Sequence, residues 1–128
     1  MDIQLTLARR RDAPEIAHMA RTLVEIGLPW SWNETRIADC LANPDCVVLK
    51  AKCGERIAGF AIMQFYDDRA HLSLLVVKPR FQRLGIGRAL LEWLNASART
   101  AGAFLVHLEV RVTNQSARAF YRTLGFLE

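Results

Sequence analysis

Apolar and polar residues alternate at the start of the chain and then change their period. Residues 3–7 alternate strictly, which predicts a short strand, because successive side chains of a strand point to opposite faces. Residues 13–24 instead carry apolar side chains at helical spacing, and Gly27 marks the end of this helix. A second, shorter helix is predicted to begin at Asn33 and to stop at Asn43.

The middle of the chain is rich in β-forming residues. Residues 46–53 and 56–66 flank the turn dipeptide Gly54-Glu55, and together they predict a hairpin. Residues 71–77 are almost wholly apolar and are followed by Pro79, which predicts a buried third strand. We therefore expect these three segments to form an antiparallel meander.

Helix and strand alternate in the last third of the chain. Helical spacing returns over residues 86–98, and an apolar strand is predicted over residues 104–110. A last helix is predicted from its N-cap Asn114 to Gly125. Only residues 126–128 then remain for the final strand of the predicted order β-α-α-β-β-β-α-β-α-β.

This order predicts a single domain over residues 1–128, with a mixed, mostly antiparallel twisted sheet and helices on both of its faces. The strands at 71–77 and 104–110 are joined through a helix, and such a β-α-β crossover makes its two strands parallel. The fold class is α/β in its layering, or α+β by the segregation of its elements. No repeat, low-complexity tract or glycine-serine linker divides the chain.

The composition is that of a folded domain with a modest positive charge. The chain has 128 residues, of which 52% are hydrophobic and 23% charged, and its net charge is +4. These values exclude disordered and fibrous classes of protein. No apolar run approaches the ~20 residues of a membrane-spanning helix. The charge density is low for a nucleic-acid-binding protein, so we expect neither nucleic acid nor membrane as a partner.

The cysteines and the N-terminal segment indicate a cytoplasmic protein. Cys40, Cys46 and Cys53 are odd in number and form no C-x-x-C pair, which argues against a disulfide framework and a zinc site. The N-terminal segment alternates and then becomes basic, without the apolar stretch of a secretory signal. We therefore expect a cytoplasmic location and no metal.

The most informative segment, residues 76–91, joins an apolar strand to a helix through a loop with Gly85 and Gly87. Free N–H groups and the dipole at a helix N-terminus favour a bound anion such as a phosphate. A P-loop is excluded because no Lys-Ser or Lys-Thr follows, and a dinucleotide-binding fingerprint because Leu90 takes the place of its third glycine. What remains is Q-x-x-G-x-G from Gln82, or a plain turn in which glycine only supplies a positive φ.

This loop resembles the acyl-coenzyme A loop of the GNAT superfamily of N-acetyltransferases, in which Gln or Arg is followed by x-x-G-x and then Gly or Ala. Residues 108–126, LEVRVTNQSARAFYRTLGF, resemble the strand, asparagine, helix, tyrosine and Gly-Phe of that family. Residues 29–31, Pro-Trp-Ser, are similar to a stretch of the bacterial ribosomal-protein alanine N-acetyltransferase branch. The resemblance spans nearly the whole chain and implies an acetyl-CoA-dependent N-acetyltransferase with the fold of that family.

By position, the resemblance also implies where acetyl-CoA is held. The end of the strand at 71–77 would offer backbone groups to the pantetheine amides, and the glycine loop would wrap the pyrophosphate. Asn114 would contact the coenzyme from the far side of the gap between that strand and the strand at 104–110. The residues implied are Leu75, Val76 and Val77 for the pantetheine, and Arg83, Leu84, Gly85, Ile86, Gly87 and Arg88 for the pyrophosphate.

Two side chains are candidates for the chemistry. Glu109 is an acid in an otherwise apolar strand, where a carboxylate needs a function or a partner; outward exposure or a pair with Arg111 would equally account for it. Tyr121 lies at the apolar spacing of its helix, so core packing alone would explain it. The resemblance implies that Glu109 is the general base and Tyr121 the general acid. We expect a backbone N–H near Val77 to stabilise the oxyanion.

The acceptor implied by the resemblance is a primary amine that attacks the thioester directly, without a covalent enzyme intermediate. An α-amino group titrates near ~8 and lies about one pH unit from neutrality, whereas a lysine near ~10.4 lies more than about three units away. A carboxylate base therefore suits the N-terminal α-amine of a peptide more easily than a lysine. Two alternatives stay open, an acetyltransferase for a small-molecule amine and a regulatory module that binds acyl-CoA without turnover.

The chain departs from the resembled pattern after residues 124–126, Leu-Gly-Phe. The family continues with a hairpin whose last strand enters the sheet beside the strand at 104–110, and here the sequence ends at Glu128. Three explanations stay open: the sequence is truncated, a partner supplies this C-terminal strand, or the strand is missing and the edge of the sheet is open. An open strand edge invites association, so a homodimer is a further prediction.

Overall fold

The described part of the chain forms one sheet with a helical layer on each face. The computed structural model describes residues 2–103, 105–110 and 113–128. The strands are β1 (Gln4–Leu7), β2 (Cys46–Cys53), β3 (Arg56–Phe65), β4 (Arg69–Val77) and β5 (Leu105–Leu108). The helices are α1 (Ala13–Met19), which continues as a π-helical turn over Ala20–Val24, α2 (Glu34–Ala42), α3 (Ile86–Thr100) and α4 (Gln115–Thr123).

The strands lie in the sheet in the order of the chain, β1-β2-β3-β4-β5. The first four are antiparallel to their neighbours, whereas β5 pairs with β4 in parallel, and α3 connects the two. The predicted meander, the β-α-β crossover and the mixed, mostly antiparallel sheet are thus confirmed. Among the described residues, no strand pairs with the outer side of β5.

Alternating side chains of the central strands divide the core into two apolar layers. Phe60 of β3 and Val76 of β4 face α1 and α2, together with the fully buried Ile16 and Ile37 of those helices. The opposite face packs against α3 and includes α4. Its buried members are Leu49, Ala51, Ala58, Ala61, Met63, Ala70, Leu72, Phe81, Ile86, Leu90, Leu91, Leu94 and Ala98.

The predicted final strand is wrong, because residues 126–128 adopt no strand conformation. Gly125 has a φ of +92°, a left-handed value that ends α4. The Phe126 N–H then donates a hydrogen bond of 3.1 Å to the carbonyl of Tyr121, and the Phe126 side chain packs on the α3 side of the sheet. The end of the chain therefore closes a helix instead of adding a strand.

Among the boundaries that differ from the prediction, two affect the gap between β4 and β5. The helix predicted over 13–24 is α-helical only as far as Met19, and its last turn is a π-helix. The strand predicted over 104–110 pairs with β4 only as far as Leu108, and residue 104 lies outside the described residues. Both changes occur on the side of the sheet where the two parallel strands separate.

Candidate active site

β4 and β5 separate halfway along β4 and leave a wedge-shaped gap. Their last paired residues are Leu72 and Leu108, so no strand of the described part of the chain pairs with residues 73–77 of β4 on that side. A bulge marks the same point, since Leu74 lies opposite Ile62 and Leu72 opposite Met63, and no residue of β3 lies opposite Ser73 in the register. The bulge bends β4 where β5 leaves it, and the gap opens there.

Two adjoining cavities lie in this gap. One has a volume of about 490 Å³ and is lined by Glu109 and by the α1 side of the sheet; the other has a volume of about 520 Å³ and is lined by the glycine loop. They share a common wall and therefore form one groove from the glycine loop to Glu109. The shared lining residues are Leu75, Val77, Gln82, Asn114, Ala117 and Tyr121.

The glycine loop presents free N–H groups to the second cavity. Gly85 is the N-cap of α3 with a φ of +80°, and no side chain caps the first turn of this helix. Arg83 also has a positive φ, +66°, which is unusual for a residue with a side chain. Gly87 lies next to the ring of Phe120, since a Cβ built on it would be 3.4 Å from that ring, and this contact brings α4 beside the start of α3. This arrangement is the one that binds anions at helix N-termini.

The end of β4 offers backbone groups to the groove. The Lys78 N–H donates to the carbonyl of Ala58 in β3, and from this bond the alternation of an antiparallel ladder directs the backbone groups of Leu75 and Val77 away from β3. The side-chain amide of Gln82 donates a hydrogen bond of 3.0 Å to the Val77 carbonyl. The first residue of the Q-x-x-G-x-G motif therefore ties the loop to the strand.

Tyr121 lies where the two cavities meet. Its ring packs edge-on against Phe120 and Phe126, with centroid distances of 5.2 and 5.7 Å. The hydroxyl makes no hydrogen bond to any described residue. Burial raises the pKa of Tyr121 to about 12, so the hydroxyl is protonated at neutral pH and can donate a proton.

Glu109 follows the last residue of β5 and lines the first cavity. The prediction that it lies within the strand is wrong, because pairing with β4 ends at Leu108. Its side chain is exposed, which is one of the two alternatives raised by the sequence; the other, a pair with Arg111, falls outside the described residues. The exposed carboxylate stands at the open end of the groove, where a base could accept a proton.

The remaining predicted residues divide into those that line the groove and one that does not. Arg83 and Arg88 line the second cavity, and Arg88 also pairs with Glu92 at 2.8 Å on the exposed face of α3. Leu84 is 54% exposed and lines neither cavity. Asn114 lines both, and its Oδ1 accepts a hydrogen bond of 3.1 Å from the Ala117 N–H as the N-cap of α4.

A third wall of the groove was not foreseen in the sequence. Leu23, Val24 and Leu28, from the π-helical turn and the loop after it, line the first cavity but not the second. The hydrophobic pattern assigned Leu23 and Val24 to the inner face of a regular helix, and it carries no signal for the change to a π-turn. Across the described ranges, no group of three or more His, Cys, Asp or Glu residues is arranged to hold a metal ion. No described helix is both long and apolar enough to span a membrane.

Comparisons with known proteins show the family to which the chain belongs. The profile of the Acetyltransferase (GNAT) family matches residues 13–126. Over 80 residues the chain is 46% identical to the ribosomal protein bS18-alanine N-acetyltransferase of Salmonella typhimurium, an alignment that covers 62% of this chain and 54% of the relative. The chain spans about half the length of the curated relatives it matches.

Solved structures share the fold over almost the whole chain. The ribosomal-protein-S18-alanine N-acetyltransferase of Escherichia coli is 32% identical with a TM-score of 0.85, covering 99% of this chain and 79% of that one. The PaiA N-acetyltransferase of Thermoplasma acidophilum, solved in complex with coenzyme A, has a TM-score of 0.88 at 21% identity, covering 99% and 91%. With a matching profile over residues 13–126 and the same sheet and crossover, this chain belongs to the GNAT family of acetyltransferases.

Proposed function

We propose that this chain transfers an acetyl group from acetyl-CoA to a primary amine, with the N-terminal α-amine of a protein as its acceptor. The observation that carries the proposal is the single groove that runs from the free N–H groups of the glycine loop, past Tyr121, to the carboxylate of Glu109. Relatives named for acetylation of the alanine of a ribosomal protein, and a neighbour solved with coenzyme A, support this choice of substrates.

Acetyl-CoA would lie along the groove with its diphosphate at the start of α3. The N–H groups of Gly85 to Arg88 and the positive end of the helix dipole favour the diphosphate charge, and Arg83 adds a cation at the rim. Leu75 and Val77 would take the pantetheine amides along the open side of β4, with Val76 between them, and Asn114 would approach from α4. The thioester then reaches the common wall of the two cavities.

The chemistry needs a neutral amine, a stabilised oxyanion and a protonated leaving group. The amine nitrogen attacks the thioester carbonyl, and Glu109 removes the proton of the amine, directly or through water. The backbone N–H near Val77 would donate to the oxyanion of the tetrahedral intermediate. When the carbon–sulfur bond breaks, Tyr121 donates its proton to the departing thiolate, and the products are the amide and coenzyme A.

The test is a thiol-release assay with acetyl-CoA and three acceptor classes: peptides with a free N-terminus, polyamines and small amines. We expect turnover with the peptides, and a fall in kcat of about a hundredfold or more for Glu109→Gln and for Tyr121→Phe. Glu55→Gln and Tyr66→Phe are matched controls, because both residues are exposed and line neither cavity.

Each alternative predicts a different result in the same assay. A small-molecule acetyltransferase would turn over the small amines and ignore the peptides. A regulatory module would be stabilised by acetyl-CoA without any thiol release, and would be indifferent to the substitutions at Glu109 and Tyr121. A cytoplasmic location and a homodimer through the open edge of β5 stay predictions, and sedimentation at high protein concentration tests the homodimer.

A further inference from the structure

Glu25 is a buried carboxylate next to the groove, and the proposed chemistry does not use it. Glu25 is the residue directly after the π-helical turn, and it is only 8% exposed. The Glu25 N–H donates to the carbonyl of Ala20 at 2.9 Å, a bond that spans five residues and closes that turn. The π-turn changes the direction of the chain after α1, and Glu25 points into the protein there.

Glu25, at the start of the loop between α1 and α2, forms hydrogen bonds with residues in the middle and at the end of that loop. Oε2 of Glu25 accepts hydrogen bonds from the N–H and the Oγ of Ser31, at 2.9 and 2.6 Å, and Oε1 accepts one from the Trp32 N–H at 2.9 Å. Its backbone carbonyl accepts a further bond of 3.0 Å from the Leu28 N–H. Burial raises the pKa of Glu25, but the bonds from Ser31 and Trp32 outweigh it, and the pKa ends below its usual value.

The loop held in this way contributes Leu28 to the unforeseen wall of the first cavity. Leu28 is 46% exposed and lines that cavity beside Leu23 and Val24, and none of the three touches the cavity of the glycine loop. The wall is therefore apolar, and it belongs to the end of the groove that holds Glu109 and not to the end that would hold the diphosphate. An acceptor bound beside Glu109 in the first cavity would lie in the space that this wall borders.

We propose that Glu25 is a positioning residue for the amine acceptor: its carboxylate fixes the loop so that Leu28 presents an apolar surface to the residue that follows the acetylated amine. This inference rests on the proposed function. It names an acceptor class, a polypeptide N-terminus with an apolar second residue. Glu25 touches neither the amine nor the thioester, so it acts on binding of the acceptor and not on the chemical step.

Substitution of Glu25 by Gln hardly changes the shape of the side chain, but it disrupts the hydrogen bonds that the carboxylate accepts. All three groups that face the carboxylate are donors, two N–H groups and the Ser31 hydroxyl. A Gln side chain would direct its own NH₂ at one of the N–H groups, and a buried donor would then have no acceptor. Ser31→Ala removes only the 2.6 Å bond and should give the same effect in a weaker form.

The experiment measures acceptor kinetics and loop order in the same variants. The chain contains three tryptophans, and Trp93→Phe leaves Trp30 and Trp32 of the loop as fluorescent reporters. Glu25→Gln and Ser31→Ala are made in this background, with Glu55→Gln as the matched control on the exposed hairpin turn. The acceptors are two peptides with free N-termini that differ only at the second residue, Ala-Leu and Ala-Asp.

For Glu25→Gln we expect the KM for the Ala-Leu peptide to rise about tenfold, while kcat and the KM for acetyl-CoA stay within about twofold. Acrylamide should quench Trp32, which is 7% exposed in the intact loop, more strongly than in the control. The preference for Ala-Leu over Ala-Asp should shrink in the same variants. These three changes together are the expected result.

An unchanged KM for the acceptor, or an equal change in the KM of acetyl-CoA, would overturn the inference and leave Glu25 with a purely structural role. If the unsubstituted chain used the two peptides equally well, the claim that Leu28 favours an apolar second residue would be overturned. In both cases the unsubstituted chain still turns over, so the proposed function would stand. Absence of turnover with every acceptor would overturn the proposed function, and this inference with it.

Discussion

The desolvated hydroxyl of Tyr121 makes the stability of the protein depend on alkaline pH in a calculable way. Burial raises the pKa of Tyr121 to about 12, whereas a tyrosine in the unfolded chain ionises near ~10. Between these values the unfolded state loses its proton and the folded state keeps it, so the free energy of unfolding falls as pH rises. The fall amounts to about 1.4 kcal/mol at pH ~11 relative to neutral pH.

Urea unfolding at a series of pH values, compared between the unsubstituted chain and Tyr121→Phe, isolates this contribution. Other groups that ionise in the same range are present in both proteins and cancel in the difference. The difference in the free energy of unfolding between the two proteins should be constant up to pH ~9 and then change by about 1.4 kcal/mol by pH ~11. A difference that does not vary with pH would refute the reasoning, because the hydroxyl would then be as hydrated in the folded state as in the unfolded one.

Two other substitutions test the glycine loop and the far end of the sheet. Gly85→Ala should lower the free energy of unfolding by about 1 kcal/mol, because its φ is +80°, and should weaken acetyl-CoA binding in calorimetry. Gly54→Ala, at φ +62° in the hairpin turn, is the control: its free energy of unfolding should fall by a similar amount, and its affinity for acetyl-CoA should stay the same. Asp12→Asn removes the partner of Lys50 from a nearly buried ion pair of 2.7 Å, and should lower the free energy of unfolding by about 3 kcal/mol in urea unfolding with kcat unchanged.

The sheet and the glycine loop could be predicted from the sequence because both depend on local pattern. The β-forming residues of 46–53 and 56–66 and the turn at Gly54 predict a hairpin from local sequence alone, and β2 and β3 pair as predicted. In the glycine loop, the two glycines predict a turn that needs a positive φ, and Gly85 has one, at +80°. The rule for β-α-β crossovers then predicts a parallel pair of strands, and β4 and β5 form it.

The acceptor side of the groove could not be predicted, because it depends on local irregularities of helix and strand that the hydrophobic pattern does not encode. No motif in the sequence marks Glu25, yet its side chain is buried after the π-turn and accepts hydrogen bonds from Ser31 and Trp32. The place where β5 leaves β4 depends on a bulge at Ser73, to which an apolar run gives no clue. The strand over residues 126–128 is predicted only from the expected order of elements. In the structure the turn at Gly125 ends α4, and the Phe126 N–H donates to the Tyr121 carbonyl instead of to a strand.

The most direct test of the account is a crystal structure of the chain bound to a thioether analogue of acetyl-CoA, which cannot transfer its acyl group. The account predicts the diphosphate on the N–H groups at the start of α3, the pantetheine along Leu75 and Val77, and the sulfur within hydrogen-bond reach of the Tyr121 hydroxyl. An analogue bound elsewhere on the chain, or one whose sulfur lies far from Tyr121 with the diphosphate in place, would contradict it.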